Sequence, residues 1–212
     1  MDTSPLNNPE LGLDLLVFTI YMIVTIYILY QAYKSLENKV VIAPDLDYIN
    51  QQLEEKEIKD LISISFKFSA SYAFPDLTKI PIVIQNKSKE DSIHVDWDEC
   101  TITNFDNISA RVIRIAPGIT DVPQKQALEK IAPNRKITEN LNDDKSGSGP
   151  LFKARSLKKA AAKAAPFLLR LFFTRVNLAG GKTSYAIECR LVVKKLRLKR
   201  AITLAFKPRK SK

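Results

Sequence analysis

Five carboxylates, Asp91, Asp96, Asp98, Glu99 and Asp106, lie close together around Trp97. Carboxylates so grouped can bind calcium or pass protons to a substrate. Alternate residues of a strand face opposite ways, so Asp96 and Asp98 share a face that Glu99 leaves. No glycine-centred calcium loop frames them, and a solvated strand face is the expectation. The single histidine, His94, has no serine or cysteine nucleophile in a motif context, which removes most zinc sites and histidine-based triads. Cys100 and Cys189 share no short spacing that suits a metal, and Cys189 falls on an apolar strand face. Gly180-Gly181-Lys182-Thr183 contains the end of a phosphate-binding loop. That loop needs glycine five residues before its Gly-Lys-Thr, where Val176 stands, and a helix afterwards, where a strand pattern follows. A hairpin turn is the expectation. These readings name no catalytic, cofactor-binding or metal-binding residue, and a protein without enzymatic activity is expected.

Cations supply a different chemistry. Residues 1–144 carry 14 Lys/Arg against 22 Asp/Glu, a net −8, whereas residues 145–212 carry 19 against Glu188 alone, a net +18. The candidate binding residues are Lys158, Lys159 and Lys163, in a stretch rich in alanine and lysine, and Lys194, Lys195, Arg197, Lys199, Arg200, Lys207, Arg209 and Lys210. Such a segment suits a polyanion. Near an anionic leaflet each cation contributes about 1 kcal/mol, attenuated over about 8–10 Å. Membrane lipids with anionic headgroups, or an acidic protein partner, are the expected ligands. Nucleic acid is the alternative, but Phe206 is the tail's only aromatic and no RNA or DNA module is recognisable. The acidic part of the chain can also pair with the basic part and cancel much of its field.

A position for this surface follows from the N-terminus. Residues 15–33 contain no charge and are mostly Leu, Ile, Val, Phe, Met or Tyr. As a helix they span about 28 Å, close to the hydrocarbon thickness of a bilayer. Asp14 sits in the first turn, and Tyr27, Tyr30 and Tyr33 crowd the other end, as aromatic belts do. No basic n-region precedes the apolar run, so a cleavable signal is not expected. Lys34 and Lys39 follow the helix and no Lys or Arg precedes it, which places the C-terminal domain in the cytoplasm. On that topology the cysteines stay reduced and the sequons at Asn86 and Asn107 are chance matches.

The expected organisation is a tail at 1–10, a transmembrane helix at 11–33, a tether or short helix at 34–60, a β-sandwich domain at 61–206 and a basic tail at 207–212. Within the tether, residues 44–59 suit either a short amphipathic helix or an extended stalk. Ile62, Ile64, Phe66 and Phe68 alternate with polar residues, and strands are expected also near 80–84, 93–97, 101–105, 110–115, 167–176, 183–193 and 201–206. Residues 117–165, with four prolines and a Ser/Gly run, read as an irregular insertion with a brief helix over 157–165. The fold class is therefore all-β, an antiparallel immunoglobulin-like sandwich behind one transmembrane helix.

The segments I-V-I-Q-N-K-S, I-H-V-D-W-D, I-T-N-F-D-N and R-V-I within residues 82–113 resemble the central strands of uncharacterised bacterial membrane-anchored or lipid-anchored sandwich proteins of immunoglobulin-like type. The resemblance covers about a seventh of the chain. It implies a fold with Trp97 in the core, and a bacterial inner (plasma) or thylakoid-type membrane. It brings no activity with it.

Overall fold

The computed structural model describes residues 9–37, 39–115, 126–147 and 149–196. The chain divides into two compact units, residues 1–38 with 197–212, and residues 39–196. In the first, α1 (Pro9–Glu37) is one uninterrupted helix of 29 residues. Its stretch Gly12–Lys34 is long and apolar enough to cross a membrane. The polar groups inside it are satisfied locally: Thr19 donates its hydroxyl to the Leu15 carbonyl at 2.8 Å, and Gln31 donates to the Tyr27 hydroxyl at 2.9 Å. Satisfying polar groups within the segment is what an apolar surrounding requires.

The second unit is a curled antiparallel sheet. Its strands are β1 (Lys39–Pro44), β2 (Ile62–Phe66), β3 (Tyr72–Ala73), β4 (Ile80–Asn86), β5 (Ser92–Val95), β6 (Thr101–Thr103), β7 (Ser109–Arg114), β8 (Glu129–Ile131), β9 (Lys136–Asp143), β10 (Pro166–Val176) and β11 (Lys182–Lys195). Two helices, α2 (Leu46–Glu55) and α3 (Ala154–Lys163), pack on β11. The hydrogen-bonded order is β2-β4-β9-β7-β6-β10-β11-β1-β3, with β5 on β10 and β8 on β5. β7 turns the corner of this path: residues 109–111 pair with β6, and Val112, Ile113 and Arg114 pair with β9.

The long ribbon β10–β11 pairs from Pro166 with Val192 to Val176 with Lys182. Its turn needs glycine. Gly180 has φ +82°, and a Cβ on Gly181 would come within 2.8 Å of the Asn177 side chain. Asn177 closes the turn by accepting the Gly181 N–H at 2.6 Å on its side-chain oxygen. The Gly-Gly-Lys-Thr sequence is thus the expected hairpin.

The alternating residues behave as their period dictates. Ile62 and Ile64 are buried, as are Ile187, Cys189, Leu191 and Val193 on one face of β11. β5 and β6 both pair with β10, and the residues between them bulge, which turns Trp97 fully inward. Arg114 lies 5.9 Å from the Trp97 ring centroid. Phe105, Phe152 and Phe167 form an aromatic group, with Phe152 4.7 Å from Phe105 and 4.9 Å from Phe167.

Two expectations need correction. Residues 39–58 are not an extended tether, and of the two readings of 44–59 the short amphipathic helix is the one found, as α2. β1 pairs with β11 through five residues from Val40 to Pro44, and α2 buries Ile49 and Leu53. Asp45 caps α2 by accepting the Tyr48 N–H at 3.2 Å. The segment 117–165 is not an irregular insertion throughout. β9 lies between β4 and β7 in the sheet, and β8 pairs with β5. The expected helix over 157–165 instead spans Ala154–Lys163 and stops at Ala164, whose φ is +50°. The residue ahead of Pro166 is driven out of the helical region, which fixes the stop. The strand expected at 201–206 lies outside the described residues.

Trp97→Ala should cost about 3–5 kcal/mol by removing the largest fully buried side chain. Denaturant unfolding of residues 39–212 measures it, and a loss below about 1 kcal/mol would contradict a structural core at Trp97.

Candidate functional site

The lysines singled out by sequence fall on two elements. On α3, Leu157, Ala160 and Ala161 face the core, so Lys158, Lys159 and Lys163 project outward with Arg155. Their spacing of three, four and eight residues from Arg155 puts the four cations on one helix face. On β11, Lys194 and Lys195 are exposed where the strand pairs with Val41 and Val40. The two elements meet: the Val193 N–H donates to the Ala165 carbonyl at 3.1 Å, two residues past Lys163. Lys39 joins the same end, because its carbonyl accepts the Leu196 N–H at 3.2 Å. Lys194 and Lys195 are consecutive and so point to opposite faces, which wraps the charge around the end of the sheet. Arg197, Lys199, Arg200, Lys207, Arg209 and Lys210 lie outside the described residues.

Internal pairing cancels only part of the basic segment. Arg175 donates from Nε to Asp91 Oδ2 at 2.6 Å, and Asp91 is almost fully buried. Arg190 stacks 4.1 Å over the Tyr48 ring and lies 3.7 Å from Asp45 Oδ2. Glu188, the one acid of the basic segment, accepts the Tyr48 hydroxyl at 2.8 Å and thereby holds α2. Among the described residues, no carboxylate lies within ion-pair distance of Lys158, Lys159, Lys163, Lys194 or Lys195.

Three of the five carboxylates around Trp97, Asp91, Asp96 and Asp98, are engaged in structure. Asp98 accepts from Arg111 Nη1 at 3.1 Å and from the Gln126 N–H at 3.1 Å, while Asp96 accepts the Asp98 N–H at 3.2 Å. Among the described residues, no three His, Cys, Asp or Glu side chains converge as a metal site would need. Cys100 and Cys189 are unbridged and buried. Burial pushes the Cys100 thiol up to about 12, countered in part by the Phe172 N–H, and burial pushes the Cys189 thiol up as well. Neither is primed as a nucleophile.

His94 stands between Thr174 and Lys130 on neighbouring strands. Partial burial disfavours its charged form, and Lys130 and Lys182 repel it, so its pKa lies below the ordinary 6.5. Of the large apolar side chains exposed among the domain's described residues, Leu46, Ile108, Leu128 and Leu178, Ile108 had no signal in the sequence. Ile108, in the turn between β6 and β7, is 54% exposed.

No protein-family model matches the chain, and no curated protein matches its sequence. Among solved structures, the X-ray structure of Northeast Structural Genomics Consortium target SoR45 is similar at 10% identity and a TM-score of 0.27. That alignment covers 74% of this chain and 87% of the other.

Because the folded His94 binds its proton less readily than the unfolded one, it costs nothing well above pH 6.5 and destabilises the fold as pH drops below that value. The Tm of the intact protein should therefore fall more between about pH 7.5 and 5.5 than that of His94→Gln. Comparing the two removes Glu139, whose carboxyl burial raises and whose titration has the opposite sign. A steeper fall in the variant would contradict the assignment.

Proposed function

We propose that the chain is a non-enzymatic single-pass membrane protein whose β domain is an interaction or assembly module on the cytoplasmic side of an inner (plasma) or thylakoid membrane. Its basic surface engages anionic lipid headgroups or an acidic partner protein. The observation that carries this reading is the lysine-rich end of the sheet, formed by Lys39, Lys163, Lys194 and Lys195 from three elements, with no carboxylate among the described residues paired to the last three. A single residue, Asn38, lies between the end of α1 at Glu37 and the start of β1 at Lys39. Lys34 and Lys39 after the apolar stretch, and no cation before it, support the cytoplasmic side.

The domain itself is an immunoglobulin-like sandwich on this reading. What supports it is that the one continuous sheet contains the runs β2-β4-β9-β7 and β6-β10-β11, the strand orders that a constant-type sandwich divides between a four-stranded and a three-stranded sheet. Trp97 is fully buried beside the strand that would be third in that scheme, which agrees with the buried tryptophan of such sandwiches. β1 and β3 extend the second sheet beyond it. Such a scaffold offers rigid surfaces without a reaction chemistry, which suits an interaction module.

Residues 39–212 should co-sediment with vesicles containing phosphatidylserine at low salt, and much less with phosphatidylcholine alone. Binding should weaken as salt shortens the screening length. Lys194→Gln with Lys195→Gln and Lys163→Gln should reduce it further. Equal binding to both vesicles, or tight binding to RNA or DNA in their place, would contradict the proposal.

A further inference from the structure

We infer that the end of the sheet where the chain enters β1 is a membrane-docking edge, with Ile108 inserting among anionic headgroups gathered by Lys163, Lys194 and Lys195. The inference rests on the reading that α1 spans a bilayer.

Strand register puts these residues level with one another. On β10, Pro166 pairs with Val192 and Leu168 pairs with Thr103. Carrying both ladders two or three residues further brings the turn after β6 to the height of Lys194 and Lys195. Lys163 reaches that height as well, through the bond from the Val193 N–H to the Ala165 carbonyl.

The turn itself is built to present an apolar tip. The Asn104 side-chain oxygen accepts the Asp106 N–H at 2.9 Å and the Ile108 N–H at 3.0 Å, and the Asn104 N–H donates to the Ile108 carbonyl. Asn107 takes φ +57°, which tightens the loop. Phe105 points the other way, into contact with Phe152 and Phe167. The loop is therefore pinned by its own hydrogen bonds and by Phe105, and Ile108 is left in solvent.

A single exposed isoleucine is unremarkable in isolation. Here it shares one end of the sheet with four lysines, and Asp106 is the only acid in the short segments 104–109, 163–165 and 194–196. An apolar tip on the same edge as a group of cations matches the headgroup boundary of an anionic leaflet, where both kinds of group gain. A soluble acidic partner would use the cations and leave Ile108 unexplained. The connection to the membrane favours the same occupant, because one residue of chain, Asn38, separates α1 from β1. Leu178, 78% exposed at the tip of the β10–β11 turn, lies at the opposite end of an eleven-pair ribbon and serves as an internal control.

The test uses the full chain in nanodiscs of phosphatidylcholine, with or without phosphatidylserine. An environment-sensitive maleimide dye is placed on Ile108→Cys, or on Ser109→Cys if the first variant does not fold. Cys100 and Cys189 are buried and stay unlabelled in the native protein. The dye at 108 should shift to the blue in anionic discs and lose its emission to lipids spin-labelled near the headgroup. Adding Lys194→Gln and Lys195→Gln should abolish that loss, and a dye on Leu178→Cys should show none. An unquenched dye at 108, equal quenching at 178, or quenching unchanged by lipid charge and by the lysine variants would overturn the docking edge while leaving the anchor intact. A chain that is not retained in the bilayer would overturn the anchor and the docking edge together.

Discussion

The register of the β10–β11 ribbon is the constraint on which the rest of the domain depends. Both of its outer edges are occupied, β10 by β5 and β6 and β11 by β1, and both α2 and α3 pack on β11. A slip of one residue would turn Ile187, Cys189, Leu191 and Val193 from the core to solvent and strand every partner of β11. The Asn177–Gly181 turn prevents that slip, since it closes in one geometry. The same register decides where Lys194 and Lys195 stand, so the placement of charge is a consequence of how the core is packed.

Arginine and lysine divide the work in the basic segment. Arg175 and Arg190 are on strands and satisfy acids or an aromatic ring contributed by the N-terminal part of the domain. A planar guanidinium can hold a carboxylate and stack on a ring, which suits half-buried positions. The lysines named at α3 and at the end of β11 stay outside, where an ammonium keeps its hydration. The +18 of residues 145–212 is thus partly spent inside the fold. What remains outside is gathered on the outer face of α3 and at one end of the sheet.

Much of this was legible in the sequence, and the failures have physical causes. Strands with one apolar face, such as β2 and β11, declare themselves by their period of two. β9 does not: it reads Lys-Ile-Thr-Glu-Asn-Leu-Asn-Asp, yet it is held between two strands and buries Leu141 and Asn142. Backbone pairing places it there, and no hydrophobic pattern records that. β1 was hidden for another reason. Val40, Val41 and Ile42 are all buried, so the run has no alternation, and the charged residues after it made it look like a linker. The lysines at 194 and 195 could be named from charge alone, but their company with Lys163 and Lys39 required the register. Ile108 could not be found at all, because one apolar residue in a polar turn carries no periodicity.

In the proposed topology α1 holds the β domain at a membrane, on its cytoplasmic side. The most direct measurement fuses to the C-terminus, in turn, a reporter that is active only in the cytoplasm and one that is active only across the membrane. The first should be active and the second silent, and both fusions should stay in the membrane fraction after alkaline extraction. Activity of the second reporter alone, or release of the fusions by alkali, would contradict it.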